Sequence, residues 1–100
     1  MSGESLRIHP AALEEAEAAM DWYAQRSRRA AAMFLDELDR AVDQIGQNPE
    51  QYPRHDLGTR RIVLRRFPFV IVFRKAAAGV EIIAIAHGRR RPGYWRERLE

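Results

Sequence analysis

Cysteine is absent from this chain of 100 residues, and lysine nearly so: Lys75 is the single lysine among 17 cationic residues. The lack of thiols excludes disulfide stapling and thiolate chemistry and fits a reducing cytoplasm. The amino-terminal stretch MSGESLRIHP has no apolar segment of the kind a secretion signal needs. No apolar run approaches the roughly 18 residues of a membrane span. The expectation is a cytoplasmic protein with no membrane partner. Internal repeats and low-complexity tracts are missing as well. What is present, 46% hydrophobic and 31% charged residues, is the composition of a folded chain, and the length predicts one domain over residues 1–100.

The net charge of +3 conceals a division. Residues 1–50 hold 5 Arg against 10 Asp and Glu, whereas residues 51–100 hold 12 Arg and Lys against 4 Asp and Glu. Such asymmetry points to an anionic partner, nucleic acid above all, although an acidic half that neutralises a basic half has the same arithmetic. The preference for arginine favours the first reading, because a planar guanidinium binds phosphate through two parallel hydrogen bonds.

Hydrophobic periodicity orders the elements. Ser5–His9 reads as a short strand stopped by Pro10, which also suits the first turn of a helix. From Pro10 to about Arg26, Leu13, Ala16, Met20 and Tyr23 recur at helical spacing, with Glu14, Glu15, Glu17 and Asp21 on other faces. After a break near Ser27, Phe34, Leu38, Ala41, Val42 and Ile45 form the stripe of a second helix, while Asp36, Glu37, Asp39, Arg40 and Asp43 are left for solvent. Gly46 and Asn48-Pro49 end it. So short a junction predicts an antiparallel helical hairpin. Residues 49–58 form a loop. Three strands follow at Thr59–Arg65, Phe69–Lys75 and Val80–His87, the last two joined by Ala76-Ala77-Ala78-Gly79. Phe69 to Phe73 is apolar on both parities, as in a central strand covered on both faces, or one covered by helices on one face and by a partner on the other. By period two, Arg61 and Arg65 flank Val63 on one side of the sheet, and Ile83, Ile85 and His87 share a face. Pro92 opens a short turn or helix that holds Tyr94 and Trp95. The fold class is α+β, with order β-α-α-β-β-β: a helical hairpin on a small antiparallel sheet with a short C-terminal turn or helix.

Two stretches carry a family resemblance: RRIVLRRFPFVIVFR, with Phe67-Pro68-Phe69 opening the central strand, and AHGRRRPGYW, with His87, Arg91-Pro92 and Tyr94-Trp95. Together with the order of elements they resemble the RelE/ParE superfamily, the toxin halves of bacterial type II toxin–antitoxin modules, also called plasmid stabilisation proteins. The resemblance implies a cognate antitoxin as partner and no cofactor or metal. It also implies one of two activities. RelE-like members cut messenger RNA on the ribosome without metal, and ParE-like members poison DNA gyrase. A third possibility is a non-toxic member that only binds its antitoxin.

Fold does not choose between these, so the site residues must. Metal-free RNA cleavage needs a base for the 2′-hydroxyl, cations for the phosphate and an acid for the leaving oxygen. The candidates for such work are His87 as acid or base, Arg65 on the phosphate and Tyr94 as a stacking platform or proton donor, with His55 as a weaker second group. Candidates for binding a nucleic acid or protein target are Arg61, Arg65, Arg89, Arg90 and Arg91. Arginine binds phosphate but moves no proton at physiological pH. Glu81, about 20 Å from His87 along its strand at 3.3 Å per residue, is a poor partner. The missing acid–base pair tilts the expectation toward ParE-like inhibition of gyrase. Each residue also has a plain structural use: His87 can cap a strand end, and Tyr94 and Trp95 can pack over the sheet edge.

Overall fold

The computed structural model describes residues 5–100. Strand β1 (Leu6–Ile8) leads into helix α1 (Pro10–Arg26) and helix α2 (Arg28–Gln47). Strands β2 (Arg60–Val63), β3 (Phe69–Ala76) and β4 (Gly79–His87) follow, with short 3-10 turns at Pro49–Gln51, Asp56–Gly58 and Arg96–Leu99. The strand order is β1-β4-β3-β2. The last three strands form the expected antiparallel meander, and β1 adds parallel to β4.

Local chemistry explains the boundaries. His9 caps α1 by accepting the Ala11 N–H at Nδ1, 3.0 Å away, and Pro10 stands at the first helical turn. Ser27 alone joins the helices. Its N–H bonds Tyr23 O at 2.8 Å to end α1, and its hydroxyl accepts the Ala30 N–H at 3.1 Å to start α2. Gly79 is required where the β3–β4 turn meets β1. It has φ +149°, and a Cβ there would stand 2.1 Å from Ser5 O, the same oxygen that accepts the Val80 N–H at 2.7 Å.

The helices cover one face of the sheet. Phe34, Leu38, Ala41 and Ile45 of α2 pack there as predicted, against Phe69, Ile71, Phe73, Ile82 and Ile85. Tyr23, Phe34, Phe67 and Phe69 stack in a chain with ring centroids 5.0 to 5.3 Å apart. Helix α1 departs from the expected stripe. Leu13 is 47% exposed, and the buried residues are Ala12 and Ala19, with Ala16, Met20 and Tyr23 packed beside them. Small side chains let α1 lie close against β4, and Leu13 falls outside that contact.

Two further expectations are corrected. Strand β2 ends at Val63 rather than Arg65, because Glu37 of α2 accepts the backbone N–H groups of both Arg65 and Arg66 and turns the chain away. Glu37 is therefore not a solvent residue. In β4, the partner of Val72 is Ala84 but that of Phe73 is Ile82, so Ile83 is an extra, bulged residue. The bulge reverses parity. Ile82, Ile85 and His87 face the helices, whereas Ile83 joins Ala84 and Ala86 on the other face.

That second face is closed by the chain's own C-terminal segment. Trp95, 3% exposed, sits on Val72, Ile83, Ala84 and Ala86, flanked by Tyr94 and Leu99. Arg74, paired with Glu81, donates to Leu99 O at 2.9 Å and holds the segment from the far side.

Candidate functional site

Strand β1 pairs with only the first part of β4, and His9 N–H closes that pairing on Ile82 O at 2.9 Å. Beyond it the edge of β4 is capped by side chains. Glu15 of α1 accepts the Ile85 N–H at 2.9 Å, and Arg98 donates to Ile83 O at 3.1 Å. The same Glu15 accepts the Tyr94 hydroxyl at 2.6 Å and both terminal nitrogens of Arg98 at 2.9 and 2.8 Å. Burial raises the pKa of this carboxyl, but the bonds from Arg98, Tyr94 and Ile85 outweigh it, and the net effect is below the ordinary value. Tyr94 is shifted the other way: burial first, then its bond to the Glu15 carboxylate, pushes the phenol up, and it stays neutral.

Past this cluster a cleft of about 380 Å³ opens between α1 and the end of β4, with Ala18, Ala19 and Trp22 on one wall and Phe69, His87 and Arg90 on the other. His87 is half-buried. Its ring meets the edge of Phe69, 5.2 Å between centroids, and its Nδ1 accepts the Arg89 N–H at 3.1 Å. Arg90 lies 3.9 Å over the Tyr94 ring, and Arg26 lies 3.7 Å over Trp22. The cleft has an aromatic lining and a cationic mouth. A second groove of about 580 Å³ follows the free edge of β2, between Ile62–Arg66 and α2.

The sequence-predicted residues separate into three places. His87, Arg90 and Tyr94 meet at the cleft, and Arg89 and Arg91 are exposed on the adjoining turn. Arg65 lies on the β2–β3 connection, exposed at the same end of the sheet. Arg61 points to the other face, opposite Val72 in the ladder, and His55 stands there too, its ring 6.0 Å from that of Trp95. The sheet thus lies between His87 and His55. Glu15 and Arg98 escaped sequence reasoning. The available signal was the position of Glu15 within the alanine stripe of α1, three residues after Ala12 and four before Ala19, where a solvent carboxylate has no reason to sit. Among the described residues, no group of three or more His, Cys, Asp or Glu is placed to hold a metal ion, and no helix is long and apolar enough to cross a membrane.

No curated protein sequence matches the chain. A solved structure described as "Chromosomal ParDE TA system from P. aeruginosa" has the same fold, with a TM-score of 0.74 and 24% identity over 84% of this chain and 95% of that one. The sequence profile described as "ParE toxin of type II toxin-antitoxin system, parDE" matches residues 6–92, which takes in every strand, both helices and the His87 to Arg91 turn. The chain belongs to the ParE toxin family of type II toxin–antitoxin systems.

Proposed function

We propose that this toxin acts as a binding inhibitor of DNA gyrase, that residues 1–100 work as a single domain, and that a cognate antitoxin silences it by occupying the α1–β4 cleft. The observation that carries the reading is that each proton-transfer candidate is either engaged in a hydrogen bond within the chain or set apart from the cleft. Tyr94 is committed to Glu15 and its phenol is held neutral. His87 spends Nδ1 on the Arg89 amide, and His55 stands across the sheet beside Trp95. Acid–base cleavage needs two such groups converging on one phosphate; inhibition by binding needs only a shaped, charged surface. Arg65, Arg89, Arg90 and Arg91 supply the charge for the target, with Arg61 set apart on the second face. The antitoxin segment that fits the cleft is an apolar side chain flanked by carboxylates, since the walls are Ala18, Trp22 and Phe69 and the mouth carries Arg90 and His87.

The test is induction without antitoxin, scored for translation and for DNA damage, together with supercoiling by purified gyrase. DNA breaks with continuing translation, and supercoiling blocked by a stoichiometric amount of toxin, are expected. Cleaved messages that disappear in His87→Ala, with gyrase unaffected, would show a ribonuclease instead. Normal growth on induction would leave only a non-toxic antitoxin partner.

A further inference from the structure

Four carboxylates of the described residues are paired with a cation: Arg40 lies 2.6 Å from Asp36, Arg74 3.1 Å from Glu81, Lys75 3.0 Å from Glu50 and Arg98 2.8 Å from Glu15. One end of the sheet is different. Helix α1 runs alongside β4 until Tyr23 meets Phe67 on the β2–β3 connection, 5.0 Å between ring centroids. The α1–α2 junction therefore projects past that end, carrying exposed Arg26, Arg28 and Arg29. Arg65 and Arg66 are exposed on the connection itself. Gly88 N–H bonds Pro68 O at 2.8 Å, which brings the Arg89-Arg90-Arg91 turn to the same place. Among the described residues, none of these eight guanidinium groups has a carboxylate within 4.0 Å. Glu37, the carboxylate that touches this end, is spent on backbone amides.

Two of the eight break a local rule. Arg28 and Arg29 occupy the first two positions of α2, where the helix dipole is positive and a cation is unfavourable. A sequence that violates a local preference with no compensation inside the chain marks a functional surface. We propose that this end of the toxin binds the phosphate backbone of duplex DNA directly. Binding to single strands relies on aromatic faces open to bases. Here Trp22 and Tyr94 each carry a guanidinium on one ring face, from Arg26 and Arg90, which leaves at most the opposite face of either ring for a base. Eight guanidinium groups from three separate segments against two half-occupied rings suit a duplex backbone better than a stacked single strand.

The inference goes beyond gyrase inhibition and is measured without gyrase, so failure of either idea leaves the other standing. The experiment is fluorescence anisotropy of a labelled duplex of about 20 base pairs with the full chain, as salt rises from about 50 to about 200 mM. With about five phosphates neutralised, log K should fall against log salt with a slope near −4.5, roughly a 500-fold loss over that range. Arg28→Ala/Arg29→Ala should reduce the slope by about two while leaving the melting temperature no lower than the parent's, since the dipole gains by their removal. A slope near zero would overturn the proposal. So would a lower melting temperature with an unchanged slope, or tighter binding of single-stranded RNA than of the duplex.

Discussion

Replacing Glu15 by glutamine keeps the side chain's volume and removes its charge at the junction of α1, β4 and the C-terminal segment. The carboxylate accepts four hydrogen bonds, two of them from Arg98, and both members of the pair are 17% exposed. Breaking a fully buried ion pair costs about 3–5 kcal/mol, and hydrogen bonds to charged groups are worth about 1.5–3 kcal/mol. For a mostly buried pair whose backbone contact glutamine can still accept, about 2–3 kcal/mol is expected. In a domain of this size that lowers the melting temperature by roughly 10–20 °C. The C-terminal segment should nevertheless stay in place. Trp95 alone buries on the order of 200 Å², or about 5 kcal/mol at 25 cal/mol per Å², which exceeds what Glu15 contributes. Urea unfolding of Glu15→Gln in a Trp22→Phe background, where Trp95 is the sole tryptophan, separates the two effects. The expected result is a lower midpoint with unshifted native emission. An unfolding free energy within about 0.5 kcal/mol of the parent would sink the account of the cluster. So would red-shifted emission without denaturant, because Trp95 would then depend on Glu15 for its place.

The same cluster contributes to both limbs of the pH profile. Glu15 has a folded pKa below its unfolded value, so its contribution is present above about 4.5 and is lost as pH falls through the folded value. Tyr94 is raised, so its contribution holds below about 10 and fades as pH rises beyond that. Thermal unfolding from acid to alkaline pH should show both losses, and Tyr94→Phe should shrink the alkaline one, to which Tyr23 and Tyr52, also raised by burial, contribute the remainder. Gly79→Ala should destabilise by about 2–4 kcal/mol, since the new Cβ meets Ser5 O at 2.1 Å with φ at +149°. Equilibrium unfolding measures it, and a cost below about 1 kcal/mol would mean that the N-terminal strand yields.

Much of the fold was legible because it is local. A stripe of Phe34, Leu38, Ala41 and Ile45 reads as a helix from spacing alone, and the double-sided apolar run from Phe69 to Phe73 announces a strand with two faces to cover, though not whether the chain or a partner covers the second. The misreadings have a common origin. Periodicity places Arg65 in β2, Glu15 on a face of α1 away from its apolar stripe, Glu37 in solvent, and Ile83 on the face of His87. Each error came from extending a period where a distant residue interrupts it: Glu37 bends the chain at Arg65, Glu15 fills an open strand edge, and the bulge at Ile83 shifts the register by one.

The sequence by itself determined the elements, their order, the family motifs and the surplus of arginine, since periodicity, turn residues and charge are carried by neighbours along the chain. Only the tertiary structure decided that the C-terminal segment covers the second sheet face, that Tyr94 is bound to Glu15, and that Arg26, Arg28 and Arg29 of the acidic half stand beside the arginines of the basic half. Those outcomes depend on contacts as far as 83 residues apart. Their geometry is fixed by helix length, a one-residue bulge and the closeness that alanines allow, and none of these is a property of any single stretch of sequence.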